Sequence, residues 1–527
     1  MPTRVDLTGL AATTADLLVI GGGAYGLCAA WEAAQRGLTV VLIERGDFGE
    51  ATSSNSLHTM HGGLRYLQHL DLRRMRESIR ERRFWLRAAP ELISPMPFVL
   101  PTFGHGLRGP EALQTALALN DVVSADRNRG VAPENHLPRG RRLSRAEAKH
   151  QFGPLQISGY NGAALWYDGF NRSPERLLVA IMQAAADAGA SLANYCVAEE
   201  LSRENGRIVG AVVRDLVGGA IAPLRARFVL NATGPWVDTV AEMAGRRASA
   251  PLFRPSKAMN LVVRRLPLNA AVGLPVPRQG RETDALLDKG AVTYFILPWG
   301  EFSLIGTKHL QFRGSADALR VEPRDVAGFL AELNPILGRH GVSPKDVIAV
   351  KCGLLPEQAG GTGAGDVVLQ KHGRIIDHEA EDGIAGIISV VGVKWTTARL
   401  VAQQAIGQVA VKLQRGKFTR VIPMTQTRLD VHATMDHTVL VPDSAATEAQ
   451  LVQAARNEMA VHLADAVLRR TDLGMSQHLD RELLTRAARA MGAVHVWTAA
   501  EIETEVDSTQ MVLEQQQSWR TAAAKER

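Results

Sequence analysis

The hydrophobic pattern near the N-terminus predicts a βαβ unit. An apolar run of strand length, DLLVI (16–20), precedes the glycine-rich segment GGGAYG (21–26) and the alanine-rich segment LCAAWEAAQRG (27–37). A second apolar run, LTVVLIE (38–44), completes the unit. Two buried strands joined through a helix lie parallel, because a parallel pair needs a long crossover connection. The pattern therefore predicts an α/β domain built on a parallel sheet.

Later patterns predict a second lobe and a helical C-terminal domain. Residues 257–265 and 292–306 alternate apolar and polar positions, which is typical of antiparallel strands. Segment 385–413 has the pattern of a strand, a turn and a helix, and the chain is mostly helical in pattern after about residue 425. The polar tail at 511–527 is predicted to be disordered.

Composition and charge exclude several classes of protein. The 527 residues are 46% hydrophobic and 22% charged, which is ordinary for a globular chain of more than one domain. The net charge of +6 does not imply nucleic acid as a partner. Cys28, Cys196 and Cys352 form no CxxC pair, which argues against disulfides and a metal site and fits a reducing cytoplasm. With no signal peptide and no run of about 18–20 apolar residues, we expect a cytoplasmic protein, soluble or bound to a membrane surface.

The segment GGGAYG matches the dinucleotide-binding pattern GxGxxG. Gly21 permits a tight turn, Gly23 lets the backbone approach a diphosphate, and Gly26 allows the helix to pack closely on the strand. The diphosphate would face the positive end of the helix. Glu44 ends the second strand, where a carboxylate can accept hydrogen bonds from ribose hydroxyls. A glycine-rich turn without a ligand is the alternative interpretation.

Two further turns favour FAD over NAD. NATGPW (231–236) follows a predicted strand, and a plain β-turn is its alternative interpretation. The helix of segment 385–413 begins near Thr396, so that its positive end could stabilise negative charge on a reduced flavin. Glycine-containing turns at three strand ends, spread over the whole chain, favour FAD.

Segments in the same order resemble the FAD-dependent glycerol-3-phosphate dehydrogenase family. They are VIGGGAYG (19–26), ATSSNSLHTMHGGLRYLQHLDL (51–72), NATGPWVD (231–238), PWGEFSLIGT (298–307), VGVKWTTARLVA (391–402) and EMAVHLADAVLRRTDLGM (458–475). The resemblance implies a doubly wound FAD-binding domain of the glutathione-reductase and D-amino-acid-oxidase type, an antiparallel-sheet substrate lobe and a C-terminal helical domain. It also implies oxidation of sn-glycerol 3-phosphate to dihydroxyacetone phosphate by hydride transfer to flavin N5.

The same resemblance implies a discontinuous division into domains. The FAD-binding domain is expected at 14–90, 155–240 and 365–415, and the substrate-binding lobe at 91–154 and 241–364. The C-terminal helical domain is expected at 425–510.

The family pattern also implies the site residues. Six side chains are expected in the catalytic or substrate site, with Lys371 standing where the family commonly has arginine: Arg65, Tyr66, Asn260, Thr307, Lys371 and Lys394. For Arg65, a solvated surface arginine is the alternative interpretation. The expected cofactor contacts are Gly21, Gly23, Ala24, Tyr25, Gly26, Glu44, Arg45, Thr52, Ser53, Ser54, His61, Gly62, Gly63, Leu64, Val197, Ala232, Thr233, Gly234, Gly392, Lys394, Trp395 and Thr396.

The chain departs from the family pattern around the substrate. Asn260 stands where the family has histidine, and Leu354 stands where it has a phosphate-binding arginine. Lys308 and His309 are additional, and they either supply replacement charge or are exposed. A related polyol phosphate or another hydroxylated anion is therefore an alternative substrate. An amine or amino-acid oxidase, or a flavoprotein without dehydrogenase turnover, is a further alternative.

A strongly basic helix is predicted at 70–93. It carries seven arginines: Arg73, Arg74, Arg76, Arg80, Arg82, Arg83 and Arg87. It is either a solvated helix with one packed apolar stripe or a contact for an anionic membrane surface, the latter consistent with a family that often delivers electrons to membrane quinone. The expected electron acceptor is quinone or oxygen, and a homodimer is compatible with the resemblance.

Overall fold

The computed structural model describes residues 4–64, 66, 71–104, 110–277, 291–358, 367–413 and 439–523. Its α-helices are α1 Leu7–Leu10, α2 Ala24–Gln35, α3 Leu72–Ala88, α4 Pro110–Val123, α5 Arg145–Phe152, α6 Pro174–Asp187, α7 Val237–Met243, α8 Pro323–Leu337, α9 His378–Asp382, α10 Ala398–Lys412, α11 Glu448–Asn457, α12 Leu463–Asp465, α13 Arg481–His495, α14 Ala499–Gln516 and α15 Ser518–Ala523. Its strands are β1 Thr14–Ile20, β2 Val40–Ile43, β3 Thr59–Met60, β4 Ile93–Phe103, β5 Arg141–Ser144, β6 Tyr160–Asn171, β7 Ser191–Ala193, β8 Cys196–Glu204, β9 Arg207–Asp215, β10 Ile221–Asn231, β11 Pro255–Arg264, β12 Ala271–Pro277, β13 Ala291–Trp299, β14 Phe302–Gln311, β15 Val347–Pro356, β16 Arg374–Asp377 and β17 Ile387–Val391.

The first sheet forms the core of a doubly wound domain. Its described strands run in the order β16-β17-β10-β1-β2-β7, and the β8–β9 hairpin joins at β10. β1, β2, β7, β10 and β17 are parallel, as buried apolar runs joined by helices require. Helices α2, α6 and α10 cover one face, and their alanines let the helices pack closely. This confirms the predicted βαβ unit and brings the three glycine-containing turns to one edge of the sheet.

The second sheet forms the substrate lobe. Its described strands run in the order β15-β11-β14-β13-β12-β4-β6-β3, with β5 paired to β6. Most pairs are antiparallel, and β12 runs parallel to β4. The alternating segments predicted at 257–265 and 292–306 correspond to β11 and to the β13–β14 hairpin.

The second sheet also takes segments that were expected in the FAD-binding domain. β6 pairs with β4 from Asn171 back to Tyr160, and β3 pairs with β6. The expected boundaries at residues 90 and 155 are therefore wrong for these strands. Pairing between strands far apart in sequence places them, and hydrophobic periodicity does not report which strands pair.

The C-terminal helices form a third unit with its own apolar core. Buried ion pairs from Arg469 and Arg470 to Asp47 join this unit to the loop after β2. The prediction of a disordered tail is wrong for the part that the structure describes, because α14 continues to Gln516 and Trp519 of α15 is 1% exposed in the core of the substrate lobe.

Candidate active site

The turn after β1 has the geometry that a diphosphate needs. Gly21 has φ of +107°, a conformation that favours glycine. A Cβ on Gly26 would overlap the Gly21 carbonyl oxygen, so Gly26 allows α2 to pack against the turn. Gly23 is the N-cap of α2 and has no side chain to occupy the positive helix end. The residues therefore fit a bound dinucleotide diphosphate.

Acceptor and ring groups suited to the nucleotide half of FAD lie beside this turn. Glu44 accepts hydrogen bonds from the amides of Gly22, at 2.5 Å, and Gly46, at 2.9 Å. Burial, which outweighs these hydrogen bonds, raises the pKa of Glu44. The Arg45 guanidinium lies 4.5 Å from the centre of the Trp236 ring, and both side chains contact Asp317.

The remaining nucleotide-side residues are placed by neighbouring strand ends. The Cys196 amide donates to the Glu44 carbonyl, so Val197 follows directly at the start of β8. The Ala232 amide donates to the Ile20 carbonyl at the end of β1, and Thr233 and Gly234 follow Ala232 in the turn after β10. The structure therefore brings these predicted residues to the same edge of the first sheet.

Hydrogen bonds join three distant turns around the expected flavin position. The Tyr25 hydroxyl accepts from the amides of Val393 and Lys394, each at 3.0 Å. The Trp395 indole donates to the Ser53 carbonyl at 3.0 Å. Segments 21–26, 51–54 and 392–396 are thereby held together, as their predicted common role requires.

The turn at 61–64 belongs to the same cluster. The His61 amide donates to the Thr396 hydroxyl at 3.3 Å, and the Gly62 amide donates to Asp168 at 2.6 Å. A Cβ on Gly63 would collide with the Tyr66 ring. Asp168 also forms a buried ion pair with Arg82, which the sequence analysis did not identify as part of the site.

Two cations lie beside the Tyr66 ring. The Arg74 guanidinium is 4.0 Å from the ring centre and the Lys394 amine is 4.1 Å from it. Burial, with a further contribution from the charge of Arg74, lowers the pKa of Lys394 to about 7. Burial and the charges of Lys394, Arg74 and Arg82 lower the pKa of His61 to about 3, so its imidazole is neutral at neutral pH.

Asn260 and Thr307 lie on the facing sheet. The Thr307 hydroxyl donates to Asn260 Oδ1 at 2.7 Å, and Asn260 Nδ2 donates to the Asn55 carbonyl at 3.1 Å. Asn260 is 1% exposed. Its amide ties the lobe to the 51–56 turn, and an amide cannot accept a proton as an imidazole can.

Leu354 and Lys308 supply no free charge to the substrate site. Leu354 is 2% exposed and packs with Val237, Leu252 and Phe253. Lys308 turns away to an ion pair with Glu332 of α8. The interpretation that Lys308 supplies replacement charge to the substrate site is therefore wrong.

Less is established about the positions of three other predicted residues, Arg65, Lys371 and His309. Arg65 lies outside the described residues. Lys371 is partly buried and precedes His372, whose imidazole is 3.7 Å from Asp71 at the start of α3. His309 is also partly buried.

Sequence reasoning missed Lys351 as well as Arg74. The Lys351 amine donates to the Ser54 carbonyl at 3.1 Å and pairs with Glu175 at 2.6 Å. Neither residue stands in a matching motif, so only the packing of strands and helices could reveal them.

The basic helix α3 is mostly turned inward. Among its seven arginines only Arg73 and Arg80 are exposed. Arg76 and Arg83 pair with Asp126, and Arg82 pairs with Asp168. The apolar stripe of α3 is packed as the first interpretation expected, but five of the seven arginines are partly or fully buried, so the charge available to an anionic surface is small.

The described residues hold neither a candidate metal site nor a membrane-spanning helix. No three histidine, cysteine or acidic side chains of these residues come together as a set of metal ligands. Among the helices that the structure describes, none is long and apolar enough to cross a membrane.

Comparison with known proteins identifies the family. The model of the FAD dependent oxidoreductase family matches residues 16–404, and that of the C-terminal domain of alpha-glycerophosphate oxidase matches residues 419–502. A glycerol-3-phosphate dehydrogenase of Synechocystis sp. is 32% identical over 414 residues, covering 76% of this chain and 71% of the relative. A probable mitochondrial glycerol-3-phosphate dehydrogenase of Caenorhabditis elegans is 32% identical over 422 residues, covering 78% of this chain and 55% of the relative.

A solved structure agrees in fold. The glycerol-3-phosphate dehydrogenase from Bacillus halodurans, complexed with FAD, superposes with a TM-score of 0.72 and 21% identity, covering 97% of this chain and 96% of that one. Its likeness extends over both sheets and the C-terminal helices. The chain therefore belongs to the FAD-dependent oxidoreductase family, as a divergent member of the glycerol-3-phosphate dehydrogenase group.

Proposed function

We propose that this FAD-dependent oxidoreductase oxidises the secondary alcohol of sn-glycerol 3-phosphate or of a closely related polyol phosphate. The observation that carries the proposal is the Tyr66–Lys394 pair, because it places a cation beside the turns that fit FAD. The names of the relatives supply the substrate class. When bound, FAD accepts the hydride of the alcohol carbon.

The protein side chains would orient the alcohol and remove its proton. His61 offers a neutral imidazole, and its Nε2 lies 3.5 Å from the Tyr66 hydroxyl. We propose His61 as the proton acceptor on the basis of its position, since Asn260 cannot fill that role. Burial and the surrounding cations make His61 a weak base, and a substrate anion bound beside those cations would raise its pKa. Cationic Lys394 would stabilise negative charge developing on the substrate oxygen or hold its phosphate.

Leu354 favours a related polyol phosphate as the second candidate substrate. A buried leucine cannot form the two parallel hydrogen bonds with which an arginine binds phosphate. A substrate whose phosphate lies elsewhere in the pocket would not need that arginine.

Anaerobic reduction of the bound flavin tests the function. Glycerol 3-phosphate should bleach the FAD absorbance at about 450 nm, and glycerol, which has no phosphate, should bleach it far more slowly. A panel of polyol phosphates at equal concentration ranks the two candidates. Reduction by amino acids and not by any polyol phosphate would contradict the proposal.

The acceptor and the associations of the protein are also proposals. We propose quinone or oxygen as the electron acceptor, and reoxidation of the reduced protein by each will distinguish them. A peripheral membrane contact would rest on Arg73 and Arg80, and sedimentation with anionic vesicles at low salt tests it. A homodimer is tested by the mass of the protein in solution.

A further inference from the structure

Two cations in this site lack acidic partners. Neither the Arg74 guanidinium nor the Lys394 amine forms an ion pair with any carboxylate of the described residues, and Arg74 Nε is buried without a hydrogen-bond acceptor. Buried cations elsewhere in the described residues have acidic partners, such as Asp168 for Arg82 and Glu81 for Arg399.

The nearby acids are engaged elsewhere. Asp71 caps α3 by accepting from the Arg74 amide at 3.0 Å, and its other oxygen faces His372. Glu77 pairs with Arg73 at 3.3 Å. Two unneutralised cations beside one ring repel each other, and an anion bound by both would relieve that repulsion.

The position of the two cations suits a substrate anion. The backbone of Lys394 is held by Tyr25 beside the diphosphate turn, and the His61 ring centre is 5.7 Å from that of Tyr66. Arg74 projects to the same ring from the first turn of α3. An arginine there can offer phosphate two parallel N–H donors, which Leu354 cannot.

We propose that Arg74 and Lys394 form the binding site for the phosphate group of the substrate. The inference rests on the proposed function, because it names the residues that recognise the phosphate of that substrate. Arg74 is thus a specificity-determining residue on a helix that sequence reasoning assigned to the protein surface.

Anion binding to the FAD-loaded protein tests the inference. The probe is inorganic phosphate, followed by titration calorimetry, and the variants are R74M and R74K. The matched control is R73M, because Arg73 is the neighbouring arginine and its side chain is 88% exposed. We expect R74M to weaken phosphate binding about tenfold or more, R74K to weaken it less, and R73M to change it by less than about twofold.

Flavin reduction separates this inference from the proposed function. With glycerol 3-phosphate, R74M should raise the substrate concentration for half-maximal reduction rate and leave the limiting rate much less affected. Equal phosphate affinity in R74M and R73M would overturn the inference. If R74M does not fold, equal affinity in R74K and wild type would overturn it. If wild-type flavin is not reduced by glycerol 3-phosphate while R74M still loses phosphate binding, the proposed function fails and the anion site stands.

Discussion

At the residue scale, the charge of Lys394 is the property of the site that responds most to pH. Burial and the neighbouring charge of Arg74 lower the pKa of its amine from 10.5 to about 7. Asp71 and Glu77 act in the opposite direction. His372 has a lowered pKa and His61 a pKa of about 3, so neither gains a proton above pH 7.

Anion binding should therefore weaken as the pH rises through about 7 and the Lys394 amine loses its proton. R74M removes one cause of the lowered pKa, so the loss of affinity should move to higher pH. Sulfate is a suitable probe, since its charge is constant over this range, and R73M is the control. A decline at the same pH in R74M and in wild type would contradict this account.

Leu354 gives a second prediction at this scale. L354R would bury a cation among Val237, Leu252 and Phe253 without a partner. We expect this to destabilise the protein by about 3–5 kcal/mol rather than to improve turnover. L354M, which conserves volume, should cost less than about 1.5 kcal/mol. Urea unfolding measures both, and a stable L354R with improved turnover would show that the leucine pocket opens to the substrate.

At the scale of elements, two glycines of the turn between β1 and α2 serve different purposes: Gly23 leaves room for the cofactor, and Gly26 is required for folding. A Cβ on Gly26 would overlap the Gly21 carbonyl oxygen, whereas a Cβ on Gly23 would meet only Ser53 Oγ, at 3.1 Å. Gly23 also has φ of −78°, which any residue adopts. Without FAD, the protein therefore tolerates a side chain at Gly23 and not at Gly26.

G23V should fold and lose FAD, because its side chain would occupy the space of the diphosphate. G26V should lose stability even without FAD, because α2 could not approach the turn. Far-UV circular dichroism and the flavin absorbance of the purified proteins report the two effects. A yellow G23V with wild-type FAD content would disprove the assignment of this turn.

At the scale of the whole molecule, a buried charge cluster joins the C-terminal helices to the FAD-binding domain. Arg470 contacts both oxygens of Asp47, at 2.6 and 2.7 Å, and Arg469 pairs with Asp47 and Asp465. Burial opposes the ionisation of Asp47, but the charges of Arg470 and Arg469 outweigh it and lower its pKa. Asp47 lies three residues after Glu44, so this cluster also fixes the loop beside the expected ribose position.

D47N should leave the buried Arg470 guanidinium without its charge partner, while Arg469 keeps Asp465, and it should destabilise the docking of the C-terminal helices by about 3–5 kcal/mol. The exposed pair of Arg481 with Glu503 provides the control, and E503Q should cost less than about 1 kcal/mol. Limited proteolysis and the urea unfolding midpoint measure the difference. Equal stability of D47N and E503Q would contradict the role given to the cluster.

The sequence by itself determined the features that depend on local pattern. Strand, glycine turn and helix at the N-terminus follow from apolar runs and from the steric needs of Gly21 and Gly26. The matching motifs identified the family, and with it FAD and the third, helical domain. These features are local because each depends on residues within a few tens of positions.

Only the tertiary structure decided how distant segments meet. The pairing of β6 with β4, the burial of Trp519 and the inward direction of the α3 arginines each depend on a partner far along the chain. The sequence around Arg74 does not distinguish it from a surface arginine. Its place beside Tyr66 and Lys394 arises from the packing of α3 against the FAD-binding domain. Periodicity reports which face of an element is apolar, whereas long-range packing determines which charges are left without a partner.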